Sequence, residues 1–507
     1  MKNKTLHLLV IGAGDRGSLF GRIAVKKNAR IVAVADPSKK MRELMAEDHD
    51  IPLERMFKSG KAALKSGMPF DGVYIASPDK THYRLARLAL KEGYNVLLEK
   101  PMATTPRRCT ALLKAQEKSG KCLVICHVLR YAPFFQIIKK ITDSGELGDI
   151  ISIDLIEDVG YWHFAHSYVR GNWRKEKTSA PVILAKSCHD LDIISWLVHT
   201  TPKRVYSSGI RQVFKSSNAP ENAAKRCVDC PVKDCIFDAR KFYLNHDPPI
   251  HWPYRVISPE DTSEKARLEA IKKGPYGRCV YHCDNDVLDN QDVVIEFSNG
   301  IRANFSLRFG GEEMTRKIFV QFEKGELAGN LVKGKITKKT YTGKREDTKV
   351  ESINTKKLGG HGGGDPRLVQ DFLDMIRGND FKDSLTSVHQ SLQSHLIAFA
   401  AEKSRKTGKL GRIIDFKRYM GDVFKLLKKH HKKHKQYKGK SKKKKKKRRK
   451  RKQSKKKSKK SKKSSKKKKK SKKSKSKKKS KKKNKKKRKS KKKSKKSKRK
   501  SKSKKTK

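Results

Sequence analysis

Leu6-His7-Leu8-Leu9-Val10-Ile11-Gly12-Ala13-Gly14-Asp15-Arg16-Gly17 is the stretch that decides the fold. Its apolar run is the signature of a strand buried on both faces, and the glycines behind it turn the chain tightly into a helix. Helical periodicity continues through Phe20, Ile23 and Ala24. Gly-x-Gly-x-x-Gly alone is a common spacing; here it sits between a strand and a helix, which gives it meaning. A second apolar run at 31–35 ends at Asp36, 19 residues after Gly17. Together these form a dinucleotide fingerprint. The glycines let the backbone approach a pyrophosphate, the helix N-terminus attracts its charge, and a carboxylate accepts from the ribose hydroxyls. Because that carboxylate repels a 2′-phosphate, NAD is the expected cofactor and NADP the second choice. Gly12, Gly14, Asp15, Arg16, Gly17 and Asp36 are the expected cofactor contacts, with Ser77, His82 and Glu99 near the ends of later strands.

Outward from this stretch, strands at 72–76, 95–98 and 122–126 alternate with helices through Leu85, Leu88 and Ala89 and at 106–119. Such alternation builds βαβ units and a parallel sheet. The pattern changes after about residue 127. Longer strands follow at 150–156, 204–210, 292–297, 301–309, 316–322 and 335–341, with Asn299-Gly300 as a hairpin turn. Helices at 366–377 and 387–407 close the body. The expected fold is therefore an α/β Rossmann domain at 1–126, then an α+β domain with a mainly antiparallel open sheet at 127–420. The second domain carries a cysteine-rich insertion near 225–285, and a Lys/Ser-rich tail occupies 421–507.

Charge is unevenly spread over the 507 residues. Of 128 Lys and Arg, 57 lie in 421–507 beside a single acid, Asp422, so the net +78 divides into +22 for the body and +56 for the tail. Lysine runs without apolar periodicity cannot offset chain entropy, so the tail is expected to be disordered. A cation of this kind binds nucleic acid or another polyanion by counterion release, and its runs resemble a nuclear or nucleolar address. Nine cysteines are an odd number, and Cys109, Cys122, Cys126 and Cys188 sit in apolar or helical contexts, which points to a reducing, cytoplasmic compartment. No leader or membrane-spanning run is read. A homo-oligomer is expected.

Glu99-Lys100-Pro101, directly after the 95–98 strand, makes the reading specific. Together with Ala76-Ser77-Pro78-Asp79, His82, Gly93, Arg130-Tyr131, Pro133 and His189-x-x-Asp192 before Trp196-Leu197, it resembles the Gfo/Idh/MocA oxidoreductases over roughly 5–415. The resemblance implies NAD(P) held between a Rossmann domain and an open-sheet domain. It also implies that Lys100 lies beside the nicotinamide and the substrate hydroxyl.

The family usually carries an aspartate four residues before the second-motif histidine; this chain has Ala185 there, and Lys186 stands three before His189. If 181–197 is one helix, Lys186, His189, Asp190 and Ile193 share a face. Oxidation of a hydroxyl needs a base as hydride leaves. Histidine suits that role, and lysine cations can stabilise the developing alkoxide. His189 is the expected base, with Lys100 and Lys186 as electrostatic partners. The segment 161–174 is dense in aromatic and polar residues, which makes His163, His166, Tyr168, Arg170 and Trp173 candidates for holding a sugar or polyol. Asp190 and His361, the latter within a glycine-rich loop, join them.

Cys227-x2-Cys230-x4-Cys235 and Cys279-x3-Cys283 could supply a structural zinc; an insertion of free thiols, or a redox-sensitive pair, is the other reading of the same residues. The expected activity is hydride transfer between NAD and a sugar or polyol. An NAD-dependent glycosidase using transient sugar oxidation is the alternative enzyme. A non-catalytic NAD-binding protein tethered to polyanions by its tail is the alternative outside catalysis.

Overall fold

The structure, a computed structural model, describes residues 4–245, 252–344, 349–354, 361–378 and 384–412. The basic tail, and with it the expectation of disorder, lies outside the described residues. Among those described, no helix is long and apolar enough to cross a membrane.

Six parallel strands form the first sheet: β1 (Leu6–Ile11), β2 (Ala29–Ala35), β3 (Met56–Phe57), β4 (Gly72–Ile75), β5 (Asn95–Leu98) and β6 (Leu123–Ile125). Their order is β3-β2-β1-β4-β5-β6, so the winding reverses between β1 and β4. Ligands of such sheets bind in the crevice that this reversal opens at the carboxyl ends of the strands. Helices Asp15–Val25, Asp79–Lys91 and Pro106–Ser119 connect and cover the strands. That cover explains why β4 is buried at every position, in the manner of a central parallel strand.

Nine strands form the second sheet, in the order β14-β13-β12-β11-β7-β10-β9-β8-β15. They are β7 (Ile150–Gly160), β8 (Pro202–Ile210), β9 (Asn290–Phe297), β10 (Arg302–Gly311), β11 (Thr315–Phe322), β12 (Gly325–Asn330), β13 (Lys335–Thr340), β14 (Lys349–Asn354) and β15 (Gly411–Arg412). Only β7 and β10 pair in parallel; the other pairings are antiparallel. Residues of β9 and β10 alternate between buried and exposed, as one covered face requires. Helices Cys188–Val198 and Val388–Thr407 pack on this sheet and on each other.

Late in the chain, helix Asp365–Ile376 returns to the first sheet. Its Leu368, Val369, Phe372 and Leu373 share one core with Leu6, Leu8 and Val10. Gly72 permits this approach, because a Cβ there would stand 2.7 Å from Ile376 Cδ1 and 3.0 Å from Phe372 Cζ.

One expectation fails. The 181–197 stretch is two helices, Val182–Ala185 and Cys188–Val198, with Lys186 at φ −108° and Ser187 at ψ 5° between them. Lys186 and His189 therefore do not share a face of one helix.

Candidate active site

The glycine loop is built by close packing on two sides and left open on the third. Gly12 has φ +98°, and a Cβ there would meet the Ala76 carbonyl oxygen at 2.6 Å; at Gly17 it would fall 1.9 Å from the carbonyl oxygen of Gly12. Gly14 differs: among the described residues nothing stands within 4 Å of where its Cβ would lie. That open approach is what a dinucleotide pyrophosphate needs, so these residues fit the cofactor. Asp15 is exposed in the first turn of the following helix. Asp36, at the end of β2, accepts from the Ala13 amide and the Ser38 amide, each at 2.9 Å. Each carboxylate oxygen keeps lone pairs for ribose hydroxyls.

Arg16 does more than flank the loop. Its Nε donates to Glu99 Oε1 at 2.8 Å and its Nη2 to Asp365 Oδ1 at 2.9 Å, while Tyr74 also donates to Glu99. Burial opposes the charge of Glu99, but Arg16 and Lys100 outweigh it and hold the carboxyl below its usual range. Asp365 is held low in the same way by Arg16 and His361 against its burial. Ser77 shares a 2.6 Å hydrogen bond with Thr81. His82 is committed to the backbone, with its ring nitrogens each 2.7 Å from the carbonyls of Pro101 and Ser77. It braces the turn that presents Lys100.

Lys100 Nζ donates to the Ala185 carbonyl at 2.7 Å, at the break between the two helices, and lies 5.9 Å from the Trp173 ring centroid. His189 follows on the second helix, buried, with no hydrogen-bond partner for Nδ1 among the described residues. Its ring lies 5.6 Å from that of His127 and 5.8 Å from that of His361. Burial, then the charge of Lys100, pushes His189 well below the usual imidazole range. It is therefore neutral at neutral pH, the form that accepts a proton. His361 Nδ1 lies 3.1 Å from Asp365 Oδ2, which connects this histidine pair to Arg16 and the glycine loop.

Lys186 pairs with a carboxylate while staying within electrostatic reach of Lys100 and His361. Its Nζ is 3.1 Å from Glu157 Oε1, and the same oxygen binds Arg316 Nη2. Arg316 Nε reaches Asp190 Oδ1 at 2.7 Å. Burial works against Glu157, yet Arg316 and Lys186 hold it below the carboxylate range; burial pushes Asp190 up by more than Arg316 lowers it. Asp190 is fully buried in this network rather than exposed in a cleft. Arg316 and Glu157 were invisible to motif reading because they lie on neighbouring strands of the second sheet, with no local signature.

The aromatic segment is divided between two places. Trp173 stands over Lys100 and its Nε1 is 3.4 Å from Asp79 Oδ1. His163 Nδ1 is 2.6 Å from Met314 Sδ, and Lys186 is close enough to help burial push its pKa well down. Tyr168 is buried between Phe164 and Trp173. His166 and Arg170 point away into the cysteine insertion, His166 to Tyr243 at 2.8 Å and Arg170 to Phe237 and Arg278 carbonyls. Asp192, three residues after His189, is held by both Nε and Nη2 of Arg130 at 2.5 and 2.6 Å, with both side chains 1% exposed. The His189-x-x-Asp192 spacing thus combines a buried histidine within reach of the Lys100 charge with an anchor.

A family model described as an oxidoreductase family NAD-binding Rossmann fold matches residues 6–127, and its companion C-terminal alpha/beta domain matches 139–413. Among curated relatives, a 2,7-anhydro-N-acetylneuraminate hydratase of Mediterraneibacter gnavus is 26% identical over 280 residues, 54% of this chain and 69% of that protein. An inositol 2-dehydrogenase of Saccharopolyspora erythraea is 29% identical over 232 residues, 44% of this chain and 62% of its own. A solved levoglucosan dehydrogenase, in complex with NADH and levoglucosan, is similar in fold. It has a TM-score of 0.60 and 16% identity, over 80% of this chain and 99% of that one.

Proposed function

The chain belongs to the Gfo/Idh/MocA family of NAD-binding oxidoreductases, and we propose that it oxidises a hydroxyl of a sugar or polyol to the carbonyl. The observation that carries the reading is the meeting of Lys100, neutral His189, His361 and Trp173 beside the glycine loop. NAD would be held by Gly12, Gly14, Gly17 and Asp36, and bound there it supplies the hydride acceptor. His189 takes the hydroxyl proton. Lys100, fixed on the Ala185 carbonyl, stabilises the oxygen as negative charge grows on it. Trp173 offers an aromatic face to a sugar ring, and the buried pairing of Lys186 with Glu157 sets the electrostatic background. The names of the inositol and levoglucosan dehydrogenases support this substrate class.

A second reading is redox-neutral: oxidation of one carbon, elimination or hydrolysis next to it, and return of the hydride. The relative named a hydratase favours it, because hydration has no net redox change. Full-length protein with NAD and a panel of inositols, anhydrosugars and glycosides decides between them. NADH accumulating with a free polyol supports the dehydrogenase. Substrate consumed with no NADH supports the redox-neutral reaction, and no turnover with any member overturns both.

A further inference from the structure

The cysteine insertion is brought together by backbone pairing. Arg226 and Arg278 form an isolated antiparallel bridge, and the Cys279 amide donates to the Lys225 carbonyl at 2.9 Å. The residues that follow that bridge on each side are Cys227 and Cys279. A tight turn, with the Cys230 amide 3.3 Å from the Cys227 carbonyl, brings Cys230 back beside Cys227. Cys227, Cys230, Cys235 and Cys279 line one cavity of about 20 Å³, with Arg170, Phe237 and Tyr281.

Arg170 supplies an independent observation. It is 2% exposed, and its partners are the carbonyls of Arg278 and Phe237, each at 2.7 Å, and Cys227 Sγ at 3.3 Å. Asp238, the acid lining the same cavity, is bound to Arg240. A buried guanidinium is costly without a counter-charge, and a neutral thiol offers none. Four sulfurs held by one metal ion would place that charge beside it.

We propose that Cys227, Cys230, Cys235 and Cys279 bind one structural zinc ion, with Arg170 as its buried counter-cation. Four thiolates around Zn²⁺ carry a net charge of two minus, which Arg170 partly offsets. Among the described residues no three ligand side chains already converge on a point. Binding therefore requires the sulfurs to turn into the cavity they line. The centre is structural: it anchors the Ala165–Arg170 segment, and Trp173, three residues on, faces Lys100.

The test uses full-length protein purified without added zinc. Elemental analysis should give one zinc per chain and no acid-labile sulfide. Titration with a mercurial, followed by a colorimetric zinc chelator, should release that zinc in step with four thiols, which separates it from any ion held by histidines. Cys230→Ser should lose most of the zinc. Arg170→Met should loosen it, seen as faster transfer to a competing chelator. Release unlinked to thiol modification, iron with labile sulfide, or less than a tenth of an equivalent of zinc with all nine thiols free would each overturn the proposal.

Discussion

Lys100 and Ala185 are joined by a hydrogen bond from the ammonium to the main-chain carbonyl, 2.7 Å long, where the helix preceding His189 breaks. A backbone oxygen thus holds the lysine at the position where the wider family carries an aspartate side chain. The contact is independent of which side chain occupies 185, but it depends on the break.

Replacement of Lys100 by Met, or of His189 by Ala, should lower turnover by roughly 10²–10⁴-fold while leaving NADH affinity within a few-fold of normal. Steady-state kinetics on the identified substrate and fluorescence titration of NADH check this. Normal turnover of the His189 variant would move the base elsewhere.

Asp36→Ala should narrow the preference for NADH over NADPH, chiefly by weakening NADH. Both oxygens of Asp36 also hold backbone amides, so the glycine loop loosens as well and absolute affinity for both cofactors falls. Tighter binding of NADPH than NADH by the unaltered protein would contradict this.

Stability should decline as pH falls below about 6.5, the unfolded histidine value. His127, His163, His166, His189 and His395 are all pushed down by burial, so the unfolded chain binds more protons than the native one in that range. Each contributes a loss of up to about 1.4 kcal/mol per pH unit until its folded value is reached. His395, pushed down to about 3, accepts from the Met102 amide and lies 2.9 Å from the Ser391 carbonyl, so protonation would cost it a bond. Melting temperatures measured from about pH 7.5 to about pH 5.5 should fall, and His395→Gln should flatten the slope.

Glu157→Gln should destabilise by about 3–5 kcal/mol, because it strands Lys186 in the interior and leaves Arg316 with Asp190 alone. Lys186→Met in the same chain should recover part of the loss. Denaturant unfolding of the two single variants and the double variant measures the coupling.

Truncation at Gly421 should leave hydride-transfer kinetics unchanged and abolish retention on RNA at low salt, since 57 of the basic residues are removed. Retention that survives truncation would place the polyanion site on the body.

Much of this was legible in sequence because it is local. The run Leu6 to Ile11, strand Asn95–Leu98 and helix Pro106–Ser119 carry their own period and stops, and the glycine loop its own spacing. Strands β12 and β14 were missed for a physical reason. Gly325–Asn330 has no β-branched residue, and Lys349–Asn354 is an exposed edge with no apolar alternation. The residues of 181–197 stay apolar through the break, so the pattern alone reads as one helix; at the break Lys186 meets Glu157 and Lys100 takes the Ala185 carbonyl. Likewise Arg170 reads as a cleft donor in an aromatic segment, and only the fold turns it toward the cysteines.

The returning helix Asp365–Ile376 makes the nucleotide-binding lobe discontinuous in sequence. Expressed alone, residues 1–126 would present to water the apolar surface that Phe372 and Leu373 seal, and such a fragment should aggregate. Any chimaera that exchanges the cofactor module between relatives must therefore bring two separate pieces of gene, and recombination at a single junction would break the lobe it was meant to transplant.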